Sequence, residues 1–304
     1  MFGVINIYKP KGLTSHDVVN AVRKVFGIKQ VGHTGTLDPF AEGVLPICIG
    51  KATRLIEYFD DDKEYLATIK FGSATTTYDI EGEVTKTSCK KIIKEDFFTE
   101  LSKFQGEIKQ LPPAYSAIKV NGKKLYEYAR SGETINVAPR EVTIYKIELL
   151  NFNEKEQLAE IKIKCSKGTY IRSIANDIGE NLGCYAHLIK LVRTGAGRFC
   201  IENSTPLPIE VLPKSKDNKF VKYNVKSNAK EILENKITNP IDMISAEKIN
   251  INNEEYEKVI HGNSIQKPLH GLNSGDFLIL IYNDCIVATG QYIDNKIKVK
   301  KVFV

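Results

Sequence analysis

Gly32-His33-Thr34-Gly35-Thr36-Leu37-Asp38-Pro39-Phe40-Ala41-Glu42-Gly43-Val44-Leu45-Pro46 is the stretch around which this chain is organised. Its three glycines and two prolines exclude a regular helix and predict a shaped loop. Pro39 pushes Asp38 out of the α region. Gly32 and Gly35 permit unusual backbone angles or the close approach of a ligand. The loop carries a carboxylate, an imidazole and two hydroxyls, and loops that present such groups on a rigid scaffold are where function concentrates. Spacing alone leaves two readings of Asp38: a carboxylate offered to a ligand, or a cap on the backbone amides of a turn.

Outward from the loop, residues 15–26 have helical periodicity, with Val18, Val22, Val25 and Phe26 on one face and Ser15 as the expected N-cap. Residues 65–71 and 158–165 alternate as strands, and the Ile/Val/Leu-rich run 142–152 is a third. Residues 172–182 return to helical spacing, and Gly183 stands at the expected C-terminal stop. Helices and strands without a strict βαβ rhythm predict an α+β fold with a central mixed sheet. Residues 214–238 carry seven Lys against three acidic residues and read as a solvated connector with some helix near 228–236. From 239 onward, the β runs 277–282, 285–289 and 296–303 predict a small C-terminal β-barrel.

The 304 residues suffice for one large domain and a small one. A net charge of +6 suits a polyanionic partner without requiring one. No apolar run approaches the roughly 20 residues of a membrane helix, and the N-terminus lacks a signal-peptide pattern, so the expected location is the cytoplasm. The six cysteines are scattered without a Cys-x-x-Cys pair, which predicts free buried thiols and no metal site. Gly50-Lys51-Ala52 lacks the remainder of a P-loop. Asp60-Asp61-Asp62 lacks calcium-loop spacing and reads as a solvated turn.

The loop at 32–46 resembles the catalytic motif of the tRNA pseudouridine-55 synthases, the TruB family, whose invariant carboxylate lies in Gly-x-Leu-Asp-Pro. Further segments match in order: Tyr8-Lys9-Pro10-Lys11-Gly12-Leu13-Thr14-Ser15, Lys63-Glu64-Tyr65, residues 112–126, Gly168 to Ser173, and Ala186-His187-Leu188. The similarity covers nearly all of residues 1–205. It implies a pseudouridine synthase catalytic domain over 1–213, an RNA-clasping insertion at 119–140, and a PUA-like RNA-binding barrel at 239–304.

The resemblance also implies roles. Pseudouridine formation breaks C1′–N1, turns the uracil and joins C5 to C1′. It needs no redox cofactor or metal, and none is expected. Asp38 is the implied catalytic carboxylate, as nucleophile or as electrostatic stabiliser. Arg172 is its implied ion-pair partner. Tyr65 is implied to stack on the target base and is a candidate for removing the C5 proton, with Tyr170 and Leu191 lining the same pocket. The target uridine must be flipped out of its loop, and His33 is implied to fill the gap it leaves. Lys9 and Pro10 are implied to brace the loop. Lys119, Arg130 and Arg140, interleaved with Tyr126 and Tyr128, suit contact with an RNA backbone; unaided, the same pattern reads as a solvated helical hairpin. Lys298, Lys300 and Lys301 are the local basic residues of the C-terminal unit.

The implied partner is the T-arm of tRNA, approached by a monomer. Two rivals are a protein that chiefly helps RNA fold and a synthase for another RNA. One departure from the family pattern is Val192, where Arg-Arg-Thr is usual; the other is the length of the 214–238 connector.

Overall fold

The computed structural model describes residues 2–133, 135–212 and 221–303. Among them, ten strands form one mixed sheet. Its main strands are β1 (Gly3–Lys9), β2 (Glu42–Ile49), β3 (Lys63–Phe71), β4 (Gly106–Gln110), β5 (Arg140–Asn153), β6 (Leu158–Cys165), β7 (Ala186–Ala196) and β8 (Thr205–Pro206). Their order across the sheet is β8-β1-β2-β7-β3-β6-β5-β4. Val31–His33 adds to β2 and Phe199–Cys200 to β7. β1 with β8, and β2 with β7, are parallel, whereas β3 pairs antiparallel with both β6 and β7. The predicted strands are therefore present in a central mixed sheet.

Helix α1 (Ser15–Phe26) is capped one residue earlier than its sequence suggests. Thr14, not Ser15, is the N-cap, in a reciprocal capping box with Asp17. Ser15 is buried instead, and its hydroxyl serves the loop at Leu37. Helix α2 (Lys94–Ser102) packs at the far end of the sheet through Phe97 and Leu101. Helix α3 (Leu125–Arg130) is a single short element after a β-hairpin at Lys119–Val120 and Lys123–Lys124, so this segment is not the helical hairpin its charges suggest. Asn121 and Gly122, both at positive φ, make the hairpin turn. Helix α4 (Ile171–Asn181) buries Ile171, Ile174, Ala175 and Ile178 against the sheet.

The described part of the Lys/Asn-rich connector departs from the solvated expectation. Helix α5 (Ala229–Glu234) buries Leu233 in the main core, and Val221, Tyr223, Ile232 and Ile237 pack on it. Thr238 exchanges backbone hydrogen bonds with Val4. An apolar residue every few positions among the lysines suffices to lay this segment on the catalytic body. Residues 213–220 lie outside the described residues.

The C-terminal unit comprises helix α6 (Asn253–Ile260) and a five-stranded sheet: β9 (Glu247–Asn250), β10 (Ile265–Gln266), β11 (Phe277–Tyr282), β12 (Cys285–Ile293) and β13 (Lys296–Val302), in the order β9-β11-β12-β13-β10. It is a half-barrel. Asn283-Asp284 and Asp294-Asn295, all at positive φ, form the two-residue turns of its hairpins. The near-continuous apolar run of β11 has a physical cause, because both faces of the strand are buried. Leu278 and Leu280 join the unit's own core, whereas Ile279 and Ile281 join Val4, Val44, Leu55 and Phe59 in a core shared with the large sheet.

Of the cysteines, Cys48, Cys165 and Cys184 are buried as expected, but Cys89 and Cys285 are exposed. The Asp60–Asp62 turn is not simply solvated: Asp60, Asp61 and Asp62 pair with Arg198, Lys167 and Lys164. Among the described residues, no helix is long and apolar enough to cross a membrane.

Candidate active site

Asp38 is held from two sides. The Ser15 hydroxyl of α1 donates to the Leu37 carbonyl (3.1 Å) and accepts from the Leu37 amide (2.8 Å). From the other side, the Gly12 amide donates to the Pro39 carbonyl (2.7 Å). Lys9, fully buried, donates through Nζ to the carbonyls of Leu13 (2.7 Å), Pro10 (3.1 Å) and Pro39 (3.4 Å). Lys9 and the Pro10 carbonyl thus sit where a brace for the loop is needed. Burial pulls Lys9 down to about 8, against the charge of Asp38, which favours its protonated form.

Arg172 reaches Asp38 from the second position of α4. Its Nη2 donates to Asp38 Oδ1 at 3.0 Å, and its Nε lies 2.9 Å from Oδ2. One hydrogen bond and one close charge contact thus set the guanidinium against both carboxylate oxygens. The start of α4 is fixed by Gln110, whose side chain bonds both the amide and the carbonyl of Tyr170, and by Ser173, whose hydroxyl donates to the Leu111 carbonyl. Further donors of Arg172 go to the carbonyls of Thr77 (3.0 Å) and Tyr115 (3.1 Å). Burial raises the Asp38 carboxyl, while Arg172 opposes that shift. The side chain stays a third exposed and both its oxygens face the guanidinium, so we read it as an ionised carboxylate at neutral pH.

Two residues that sequence reasoning left out of the site complete it. Asp79 is buried, and its Oδ2 lies 3.6 Å from Arg172 Nη1. Its Oδ1 accepts from the Thr77 hydroxyl (2.6 Å) and the Glu81 amide (3.0 Å). The preceding Tyr78 is left-handed, with φ 62°. In the sequence this acid looks like any Asp of a polar turn. Arg193 is also buried, and donates to the carbonyls of Val44 (2.6 Å), Gly35 (3.0 Å) and Thr36 (3.4 Å). Its sequence signal is its place in Val192-Arg193-Thr194, the retained part of the family's usual Arg-Arg-Thr. Val192, the departure from the family pattern, is half-buried and pairs with Leu66 and Glu42.

Tyr65 lies on β3 as the cross-strand partner of Arg193, and Leu191 as that of Ala67. Burial pushes the Tyr65 phenol up, and Arg193 pulls it back. Tyr170 is half-buried, with Asp38 among the charges acting on its phenol. His33 accepts the Gly35 amide proton at Nδ1 (3.2 Å). Burial, then Arg193 and His16, lower its pKa, so the ring is neutral. Asp38, Arg172, Tyr65, Tyr170, Lys9 and His33 thus gather around one loop.

Lys119 and Arg130 do not join them, and Arg140, strand partner of Gln110, borders the group through its charge on Tyr170. Lys119 is exposed on the hairpin, Arg130 lies over the Tyr126 ring at 5.3 Å, and Arg140 is exposed at the start of β5. A cleft of about 390 Å³, lined by Tyr78, Leu111, Leu125 and Tyr128 among others, lies against this segment. Lys301 pairs with Glu57, whereas Lys298 and Lys300 are exposed. Among the described residues, no three His, Cys, Asp or Glu side chains cluster as metal ligands.

Residues 23–171 match the family described as TruB family pseudouridylate synthase (N terminal domain), and residues 172–214 match the tRNA pseudouridylate synthase B C-terminal domain. A tRNA pseudouridine synthase B of Caldanaerobacter subterraneus subsp. tengcongensis is 45% identical over 245 residues, 78% of this chain and 84% of the relative. One of Oceanobacillus iheyensis is 38% identical over 298 residues, 96% and 93% of the two chains. The crystal structure of a Cbf5-Nop10-Gar1 complex superposes with a TM-score of 0.70 at 26% identity, covering 100% of this chain and 85% of the other. The sheet, the half-barrel and the site at its loop define a pseudouridine synthase, an isomerase. Within that class the chain belongs to the TruB family.

Proposed function

We propose that the protein converts uridine 55 in the T-arm loop of tRNA to pseudouridine. The observation that carries this reading is the Arg172 guanidinium set against both oxygens of Asp38 on a loop braced from two sides. The similarity to enzymes named tRNA pseudouridine synthase B supports tRNA as the substrate.

The uridine is flipped out of its loop, with the neutral His33 filling the gap. Asp38 acts on the ribose as C1′–N1 breaks. Direct attack on C1′ and electrostatic assistance to glycal formation both need the same ionised carboxylate. The detached uracil turns between Tyr65 and the pocket wall of Tyr170 and Leu191, and C5 bonds to C1′. The C5 proton then leaves, with Tyr65 as the candidate acceptor that the resemblance implies. Atoms and electrons balance within the substrate, so the reaction calls for no redox partner or metal.

The 119–140 segment clasps the tRNA arm through Lys119, Arg130 and Arg140. The half-barrel is a PUA-like RNA-binding unit, with Lys298 and Lys300 available on its last strand. The protein works as a monomer. Incubation with unmodified tRNA transcript, followed by chemical mapping, tests the substrate. Product at position 55 is expected; product only at other positions would overturn the assignment. Binding should weaken steeply with salt, because phosphate contacts release counterions.

A further inference from the structure

The order of the sheet places β7 between β2, which leaves the catalytic loop, and β3, which carries Tyr65. One residue of β7 sits at both junctions. Arg193 pairs in parallel register with Gly43 and in antiparallel register with Tyr65. The approach on the loop side is close: a Cβ on Gly43, whose φ is 109°, would stand 2.3 Å from the Arg193 carbonyl oxygen. The side chain repeats this bridging. Its donors reach the Gly35, Thr36 and Val44 carbonyls of the loop, and its charge acts on the phenol of its cross-strand partner Tyr65. A guanidinium has five N–H groups in a fixed fork, enough to serve all three carbonyls at once.

The two buried arginines of the site therefore have different work. Arg172 faces carboxylates, those of Asp38 and Asp79. Arg193 spends its donors on neutral oxygens, and its carbonyl acceptors lie on the loop that carries Asp38. We propose that Arg193 is a positioning residue that ties its cross-strand partner Tyr65 to the catalytic loop and so fixes the base-stacking ring relative to Asp38. The inference rests on the role given to Tyr65 above. The Arg193 charge also opposes the effect of burial on the phenol. A lysine cannot replace this fork, because a point charge cannot reach the Gly35, Thr36 and Val44 carbonyls together.

The test labels tyrosine Cζ with 13C and follows the Tyr65 resonance, identified by its loss in Tyr65→Phe, together with tRNA affinity and single-turnover rate. Arg193→Gln should move the Tyr65 resonance and slow the chemical step roughly 100-fold while leaving tRNA affinity within about twofold, as for an ångström-scale misplacement of a reacting group. An unmoved resonance overturns the proposal, as does a fall in affinity that matches the fall in rate. Arg193→Lys keeps the charge without the fork and should show the same displacement if Arg193→Gln does not fold. If neither variant folds, Arg193 is a folding residue and the proposal is wrong. Full turnover by Tyr65→Phe would remove the role of Tyr65 itself while leaving the Arg193–Tyr65 contact to be judged by the resonance alone.

Discussion

Ser15 and Leu37 exchange two hydrogen bonds through one hydroxyl: Ser15 Oγ donates to the Leu37 carbonyl and accepts from the Leu37 amide. The first residue of α1 thereby sets the backbone immediately before Asp38. Both bonds are buried, so Ser15→Ala leaves a donor and an acceptor without partners, at a cost of about 1–3 kcal/mol. The catalytic effect should be larger than the stability effect implies, because the displaced residue adjoins the carboxylate. We expect thermal unfolding to shift down and kcat to fall by roughly tenfold or more, with KM little changed. A variant that is destabilised yet fully active would show that the Asp38 position does not depend on this clasp.

Lys9 gives a pH signature. Its buried ammonium has a pKa of about 8, against an ordinary 10.5. Below pH 8 both folded and unfolded chains hold this proton, and the cost of burying the charge is present in full. Between about 8 and 10.5 the unfolded chain binds more protons than the folded one, so this group makes stability rise with pH. The gain is about 1.4 kcal/mol for each pH unit that separates the folded and unfolded pKa of the lysine. Urea unfolding at pH 7 and pH 10 should show the wild type gaining stability relative to Lys9→Met as pH rises. A difference that stays flat or reverses would mean that Lys9 is not buried as a charged group.

Ile279 links the two sheets. It is fully buried in the apolar core formed with Val4, Val44, Leu55 and Phe59 of the catalytic unit. Ile279→Ala should cost about 2–5 kcal/mol, the usual range for an emptied core position. Because the cavity opens between the sheets, both should lose stability together, in one calorimetric transition. Two separated transitions in the wild type would show that the half-barrel folds independently of its neighbour.

How much of this is legible in the sequence depends on the kind of signal. Periodicity locates α1, α4, β3, β5 and β6, because each has one face buried by a single neighbour. The β runs at 277–282, 285–289 and 296–303 show instead as short apolar stretches bounded by Asn, Asp and Gly, and the double-sided burial of β11 becomes clear only when the second core is seen. The α1 cap lies one residue from its expected place because Thr14 and Ser15 are both good caps, and only the demand of Leu37 for a buried hydroxyl separates them. The 214–238 stretch misleads because its lysines dominate its composition, whereas a few apolar side chains decide where it lies. In the site, Asp38, Arg172, Tyr65 and His33 emerge through the resemblance of ordered motifs rather than through spacing. Asp79 and Arg193 escape sequence reading because their importance comes from partners 93 and 158 positions away in the chain, Arg172 and Gly35, contacts that no local pattern encodes.

The most direct measurement is the single-turnover rate of Asp38→Asn on unmodified tRNA transcript, taken with its tRNA affinity. The substitution keeps the size of the side chain and removes the charge that Arg172 faces. The account predicts no detectable pseudouridine and tRNA binding within a few-fold of the wild type, since a group needed only in the chemical step affects rate rather than affinity. Pseudouridine formed by Asp38→Asn at a rate near that of the wild type would contradict it, and would place the catalytic group elsewhere.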